Sequence, residues 1–384
     1  MGAANSHSKR TRDRRTLNVL VVDDSALVRQ VISDVLSQER DMSVTVAANP
    51  IIAMDKMKRV RPDVVLLDLE MPRMDGLTFL RKIMAEDPIP IVVCSVHAHQ
   101  GMEVALRALE EGAVEIVSKP NLGVRDFLHE SAVMLIDTVR GAAQARLRPR
   151  GSTPRLSQQK LTADALLPPL QKPPRKIITD KVVVIGSSTG GTEALRGLLE
   201  AMPPGAPGIV IVQHMPEIFT AAFAERLNRT CRIEVKEAAN GDLIREGRAL
   251  IAPGNRHTLL RRSGAHYTVE VTDGPLVARH RPSADVLFRS VARTAGSSAV
   301  GVIMTGMGDD GAEGLLEMKR AGAATIAQDE ASCVVFGMPR EAITRGAVDE
   351  VVPLSRIPTI ILKKACSAEG HPLRERREQS GFVL

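Results

Sequence analysis

A chain of 384 residues that is 44% hydrophobic and 25% charged can bury the cores of two ordinary globular domains, which sets it apart from disordered and fibrous proteins. With no tryptophan, one tyrosine and seven phenylalanines it lacks aromatic platforms for single-stranded nucleic acid, and no run of about 18 apolar residues is present to span a membrane. The net charge of +6 is unevenly placed: residues 1–16 carry +4 and residues 140–176 carry +8, leaving −6 elsewhere, so the folded parts are acidic and no DNA-reading face is expected.

Cys94, Cys231, Cys333 and Cys366 are scattered without C-x-x-C spacing, which fits reduced thiols better than a disulfide frame or a zinc site. The N-terminus is polar and basic and resembles no secretion signal, so a cytoplasmic location is expected.

From Leu17 the run Leu-Asn-Val-Leu-Val-Val reads as a buried parallel strand that delivers Asp23 and Asp24 at its carboxyl end, ahead of a helix from Ala26 to about Gln38. Further strands are predicted at 64–67, ending in Asp68, at 91–94, ending in Ser95, and at 114–117, followed by Ser118, Lys119 and Pro120. Helical stretches at 51–60, 76–85, 101–111 and 123–140 alternate with them, the pattern of a doubly wound α/β domain. Such folds bind ligands beyond the carboxyl ends of the strands, the edge where Asp23, Asp24, Asp68, Ser95 and Lys119 all fall. Clustered carboxylates there suit a hard cation such as Mg²⁺, whose charge offsets that of a phosphoryl group, while an aspartate can accept the group as an acyl phosphate.

These residues, with Leu-Asp68-Leu-Glu70-Met-Pro72-Arg-Met-Asp75-Gly76 and Lys119-Pro120, make residues 17–140 similar to a response-regulator receiver domain. The resemblance implies that Asp68 is the phosphoacceptor, that Asp23, Asp24, Asp68 and the Glu70 backbone carbonyl hold Mg²⁺, that Ser95 and Lys119 serve the switch, and that a histidine kinase is the phosphodonor. Ile116 stands where many receivers carry a rotating aromatic side chain.

Residues 141–178, rich in Pro, Arg, Gln and Ala without an apolar period, are predicted to be a flexible basic linker with a reach of roughly 30 to 35 Å. A second α/β domain is expected over 179–364, with a polar tail over 365–384. It opens on Val-Val-Val-Ile-Gly186-Ser-Ser188-Thr-Gly190, an apolar strand ending in G-x-S-x-G spacing, in which glycines allow a turn sharp enough to expose the central serine. The same loop could instead cradle a phosphate on its backbone N–H groups. Strand 209–213 ends in His214, and strand 300–304 leads into Met307-Gly-Asp309-Asp310-Gly before a helix over 312–320. Ser188, His214 and an aspartate thus share one rim of a predicted parallel sheet, offering a nucleophile, a general base and an orienting carboxylate. Ser187, His257, His280 and Asp309 are rivals, and spacing alone does not separate Asp309 from Asp310.

The motifs Ile-Gly-Ser-Ser188-Thr-Gly-Gly-Thr-Glu, Val-Gln-His214-Met-Pro, Met-Thr-Gly-Met307-Gly-Asp-Asp310-Gly and Ala-Ser-Cys333-Val-Val-Phe-Gly-Met-Pro-Arg resemble the catalytic domain of the chemotaxis protein-glutamate methylesterases, the CheB family. That resemblance implies a doubly wound α/β methylesterase domain, the triad Ser188, His214 and Asp310, and the Met307 backbone N–H as oxyanion donor. It also implies hydrolysis of glutamate methyl esters on the helices of methylated chemoreceptors, a companion glutamine deamidase activity, no cofactor for the ester reaction, and control by the receiver. No compact helix-turn-helix tail accompanies the receiver, as a DNA-binding output would require.

Overall fold

The computed structural model describes residues 16–71, 75–95, 99–119, 125–147, 181–264 and 266–366. The basic N-terminal residues 1–15, the linker interior over 148–180, the tail from 367 on, and Pro72 and Pro120 of the motifs lie outside the described residues.

The first domain runs β1 (Leu17–Val22), α1 (Ala26–Ser37), β2 (Met42–Ala47), α2 (Pro50–Arg59), β3 (Val64–Asp68), α3 (Gly76–Glu86), β4 (Ile91–Ser95), α4 (His99–Glu110), β5 (Glu115–Ser118) and α5 (Arg125–Ala143). Its five strands lie in the order β2-β1-β3-β4-β5, and every pairing is parallel. The helix starts follow local chemistry. Ser25, Asn49 and Asp75 each accept a backbone N–H three residues on, and Pro50 occupies the first turn of α2, where a missing N–H costs nothing.

Strand β2 was not among the four expected. It lies at the sheet edge with an alternating pattern of exposure, so it lacks the continuous apolar run that marks its buried neighbours. Helix α5 ends at Ala143 rather than 140, because Val139 and Ala142 continue its buried face. Arg140 and Arg146, assigned from sequence to a poorly patterned basic segment, are both paired: Arg140 with Glu39 and Asp41, Arg146 with Glu330.

The second domain comprises β6 (Val182–Ser187), α6 (Gly191–Glu200), β7 (Ile209–Gln213), α7 (Glu217–Thr230), β8 (Glu234–Glu237), β9 (Arg248–Ile251), β10 (His257–Ser263), β11 (His266–Thr272), α8 (Ala284–Thr294), β12 (Ala299–Ile303), α9 (Ala312–Arg320), β13 (Ala324–Gln328), α10 (Met338–Thr344), β14 (Glu350–Val352) and α11 (Ile357–Cys366). Seven parallel strands lie in the order β14-β13-β12-β6-β7-β9-β8, while β10 and β11 form a separate antiparallel hairpin. The first strand in the chain, β6, is central, with its successors β7 on one side and β12 on the other. The winding therefore reverses at β6, and a crevice opens beyond its carboxyl end. Among the described residues no helix is long and apolar enough to cross a membrane.

Candidate active site

The three strands at the reversal carry the chemistry. Ser188 follows β6, His214 follows β7, and the turn containing Asp309 and Asp310 follows β12. The Ser188 N–H donates to the Thr305 carbonyl at 3.0 Å, which ties the serine turn to the end of β12. Gly306 makes this approach possible, since a Cβ there would lie 2.8 Å from Ser188 Cβ. Buried Gln213 braces the same turn from the other side: its Nε2 donates to the Ser188 and His214 carbonyls, each at 3.0 Å, and its Oε1 accepts the Ser187 hydroxyl at 2.7 Å. Ser187 is thus a buried structural hydroxyl, whereas Ser188 lines a cavity of about 250 Å³ together with His214, His280 and Met307.

The carboxylates separate cleanly. Asp309 is half exposed and pairs with Arg345 on the surface. Asp310 is buried and accepts from four donors: His214 Nε2 at 2.8 Å, Ser283 Oγ at 2.7 Å, Ala284 N at 2.7 Å and Asp285 N at 3.1 Å. The last two are first-turn N–H groups of α8, which have no intrahelical acceptor and whose dipole favours an anion. Burial alone would push the Asp310 carboxyl up, but the bonds from His214 and Ser283 and the nearby imidazoles hold it below the usual carboxylate range.

Because an ionised carboxylate can only accept, His214 carries its proton on Nε2, and its lone pair is on Nδ1. That Nδ1 is buried and has no hydrogen-bond partner among the described residues. The ring stacks on His280, with centroids 3.7 Å apart and planes 10° from parallel. Burial, and then the proximity of His214, lowers the His280 imidazole to about 3, so His280 stays neutral when His214 takes a proton. His257 is a brace. Its Nε2 donates to the Pro275 carbonyl at 2.8 Å and its Nδ1 accepts the Ser283 N–H at 3.3 Å, positioning the hydroxyl that holds Asp310.

Met307 sits in a turn held by Gly306, whose N–H donates to the Val335 carbonyl and whose carbonyl accepts from Gly337 and Met338. None of these bonds uses the Met307 N–H, and Met307 lines the cavity wall. Sequence reasoning overlooked Gln213 and Ser283 as site residues. A polar residue closing an apolar strand beside a histidine was the only signal for Gln213, and nothing in the sequence reading singled out Ser283, which the structure shows as the N-cap of α8.

In the first domain, ligand oxygens of Asp23, Asp24 and Asp68 lie within 4.8 Å of one another. Lys119 Nζ contacts Asp23 Oδ2 at 2.8 Å and Asp68 Oδ2 at 2.7 Å, and these oxygens accept no further bond among the described residues. The remaining Asp68 oxygen accepts the Glu70 N–H at 3.2 Å, while Asp23 Oδ1 accepts from Ser25 N at 2.8 Å. Burial raises the Asp68 carboxyl, with Lys119 opposing it. Burial would lower the Lys119 ammonium, but its bonds to the two carboxylates outweigh this and raise it. Ser95 ends β4, buried, and its carbonyl accepts the Lys119 N–H at 2.9 Å. Three close carboxylates with spare lone pairs and one lysine fit a divalent cation and a phosphoryl group.

The two sites are joined by an interface. Helix α5 and strand β5 line the Ser188 cavity from the receiver side. Gly141 packs against the second domain, since a Cβ there would lie 3.1 Å from Met307 Sδ and 3.3 Å from Thr189 Oγ1. Glu115 at the start of β5 is buried and hydrogen-bonded to Thr189, the neighbour of Ser188. Asp137 on α5 pairs with Arg279 at 3.1 Å, Glu110 on α4 pairs with Arg226 on α7, and the Arg146 N–H donates to the Val334 carbonyl at 2.9 Å.

Fold and site define a class: a receiver domain docked over an α/β domain whose rim carries serine-hydrolase groups. Comparison with known proteins narrows it. The CheB methylesterase family profile matches residues 183–361, and the response regulator receiver domain profile matches residues 19–129. The chain is 64% identical over 351 residues to a protein-glutamate methylesterase/protein-glutamine glutaminase of Anaeromyxobacter dehalogenans, covering 91% of this chain and 97% of that one. It is 60% identical over 356 residues to one from Geobacter metallireducens, covering 91% and 99%. The chain belongs to the CheB methylesterase family and carries that family's domain behind an N-terminal receiver.

Proposed function

We propose that this protein is a phosphorylation-regulated protein-glutamate methylesterase, with protein-glutamine glutaminase activity from the same acyl chemistry, acting in the cytoplasm on the helices of methylated chemoreceptors. The observation that carries this reading is the imidazole of His214, held by Asp310 on one nitrogen while the other is open and buried beside the cavity that Ser188 lines.

The chemistry follows from that arrangement. His214 Nδ1 takes the Ser188 proton as Oγ forms its bond to the ester carbonyl carbon, and Asp310 stabilises the resulting imidazolium. The Met307 N–H donates to the tetrahedral oxyanion, a contribution of about 3 kcal/mol for a typical single donor. Collapse breaks the carbon–oxygen bond to methoxide, which leaves as methanol with the proton from His214. Water then attacks the acyl-serine, gives its proton to His214, and releases the glutamate carboxylate as Ser188 is reprotonated. With a glutamine side chain, the same steps release ammonia.

Asp68 is the proposed phosphoacceptor, with a histidine kinase as donor. Asp23, Asp24, Asp68 and the Glu70 carbonyl would hold Mg²⁺, which when bound supplies charge neutralisation at the phosphoryl oxygens. Lys119 and the Ser95 hydroxyl complete the site. Conversion of the Asp68 carboxylate, of charge −1, to an acyl phosphate of charge about −2 changes the balance that Lys119 now satisfies and loosens the docking of β5 and α5 over Ser188. A fluorophosphonate probe tests the nucleophile. Stoichiometric labelling of Ser188, greatly slowed in His214→Gln, is expected, and a label on Ser187 would refute the assignment.

A further inference from the structure

Val277 and His280 exchange backbone bonds, the His280 N–H to the Val277 carbonyl at 2.9 Å and the reverse at 3.1 Å. The two residues between them, Ala278 and Arg279, are both left-handed, with φ of 49° and 68°. Hairpin turns of this kind favour Asn-Gly, so an Ala-Arg pair here is strained and persists only because its surroundings enforce it. The turn has two consequences. It sets His280 on the face of His214, and it leaves Arg279 at the cavity mouth with 58% of its side chain exposed.

Among the described residues that line the cavity, Arg279 and Arg281 are the only permanent cations. Arg281 is engaged with the Asn255 side chain and the Gly274 carbonyl, and so braces the loop. Arg279 holds a carboxylate: its Nη1 lies 3.2 and 3.1 Å from the two oxygens of Asp137, a residue of the receiver. Asp137 is 17% exposed, half-sequestered at the mouth that a substrate must enter.

We propose that Arg279 is a specificity residue that binds a substrate carboxylate within one helical turn of the esterified glutamate, and that Asp137 occupies its place while the receiver is docked. On a helix, side chains three or four residues apart share a face, so a neighbouring acidic residue reaches the rim when the ester enters the cavity. The proposal rests on the methylesterase reading and adds to it a preference for acidic surroundings.

The test uses the full chain with Mg²⁺ and a small phosphodonor. Helical peptides carry one glutamate methyl ester flanked at three and four residues by Glu, Gln or Lys. The wild-type chain is expected to favour the Glu-flanked over the Gln-flanked peptide by about tenfold in kcat/KM, through KM, as truncating one partner of a charge pair predicts. Arg279→Ala brings that ratio to about one, Arg279→Lys keeps part of it, and Arg279→Glu turns the preference toward Lys-flanked peptide. A ratio that survives Arg279→Ala, or a charge reversal that leaves the order of peptides untouched, overturns the proposal. Hydrolysis absent from the wild-type chain, or undiminished in Ser188→Ala, removes the methylesterase reading itself and the proposal with it.

Discussion

Two aspartates at equivalent places in the two domains have opposite acidities. Asp68 ends its strand and Asp310 lies just beyond one, both at the carboxyl edge of a parallel sheet and 3% and 1% exposed, yet Asp68 is raised and Asp310 lowered. The difference lies in the donors aimed at each. Asp310 has an imidazole, a hydroxyl and two helix-end N–H groups, whereas Asp68 has one backbone N–H and a lysine that it shares with Asp23. Saturation with donors suits a carboxylate whose task is to stay ionised and hold a ring. Incomplete satisfaction suits the phosphoacceptor role proposed for Asp68.

The largest test of that contrast acts at the catalytic rim. Ser188→Ala should lower kcat by at least about 10⁴-fold without shifting the melting temperature, because its hydroxyl is not part of the core. Asp310→Asn should cost about 10³- to 10⁴-fold in kcat, since the amide's N–H₂ group cannot replace the acceptor that fixes the His214 tautomer. A loss below about tenfold would mean that the four donors serve folding alone.

A smaller effect is expected from Ser283→Ala, about tenfold in kcat, because it removes one of four donors. It should also raise the Asp310 pKa. The wild-type carboxyl is lowered by folding, so its contribution to stability is present above the unfolded value near 4 and is lost as pH falls through the folded value. Acid unfolding of Ser283→Ala should therefore begin at a higher pH than in the wild type, and coincident acid transitions would contradict this.

Glu115 extends the contrast to the interface. Burial raises its carboxyl to about 8, with the bonds from Ile116 N–H and the Thr189 hydroxyl opposing. Since its unfolded or undocked value is about 4.3, docking is best supported below that pH and loses support as pH rises through about 8. Glu115→Gln mimics the protonated form. The ratio of wild-type to Glu115→Gln turnover, both unphosphorylated, should therefore climb between about pH 5 and pH 8 and flatten above; a ratio flat across that range would exclude Glu115 from the latch. The smallest effect is predicted for Asp309→Asn, which should change kcat by less than about twofold, because Asp309 faces solvent and Arg345.

The receiver pocket was legible in the sequence because its residues stand at the ends of continuous apolar strands, where position alone predicts convergence. The rim of Ser188 and His214 was legible for the same reason. The distinction between Asp309 and Asp310 was not, because it depends on which carboxylate meets α8, whose start at Ser283 is distant in sequence from both. His257 and His280 were visible as rivals of His214, but their roles as brace and stacking partner are properties of the 273–283 loop in three dimensions. Strand β2 and, in the second domain, β8 to β11, β13 and β14 were not predicted; β2 and β8 escaped notice as edge strands, one alternating and one polar. Glu115 gave no signal, since a glutamate opening a strand is ordinarily solvated and only docking buries it.

The most direct test is methanol release from methylated receptor membranes by the full chain, with and without Mg²⁺ and a small phosphodonor, with Ser188→Ala and Asp68→Ala in parallel. A receiver that covers the Ser188 cavity predicts slow release that accelerates on phosphorylation, no release from Ser188→Ala, and no acceleration in Asp68→Ala. Release at one rate under every condition, or acceleration that survives Asp68→Ala, would contradict it.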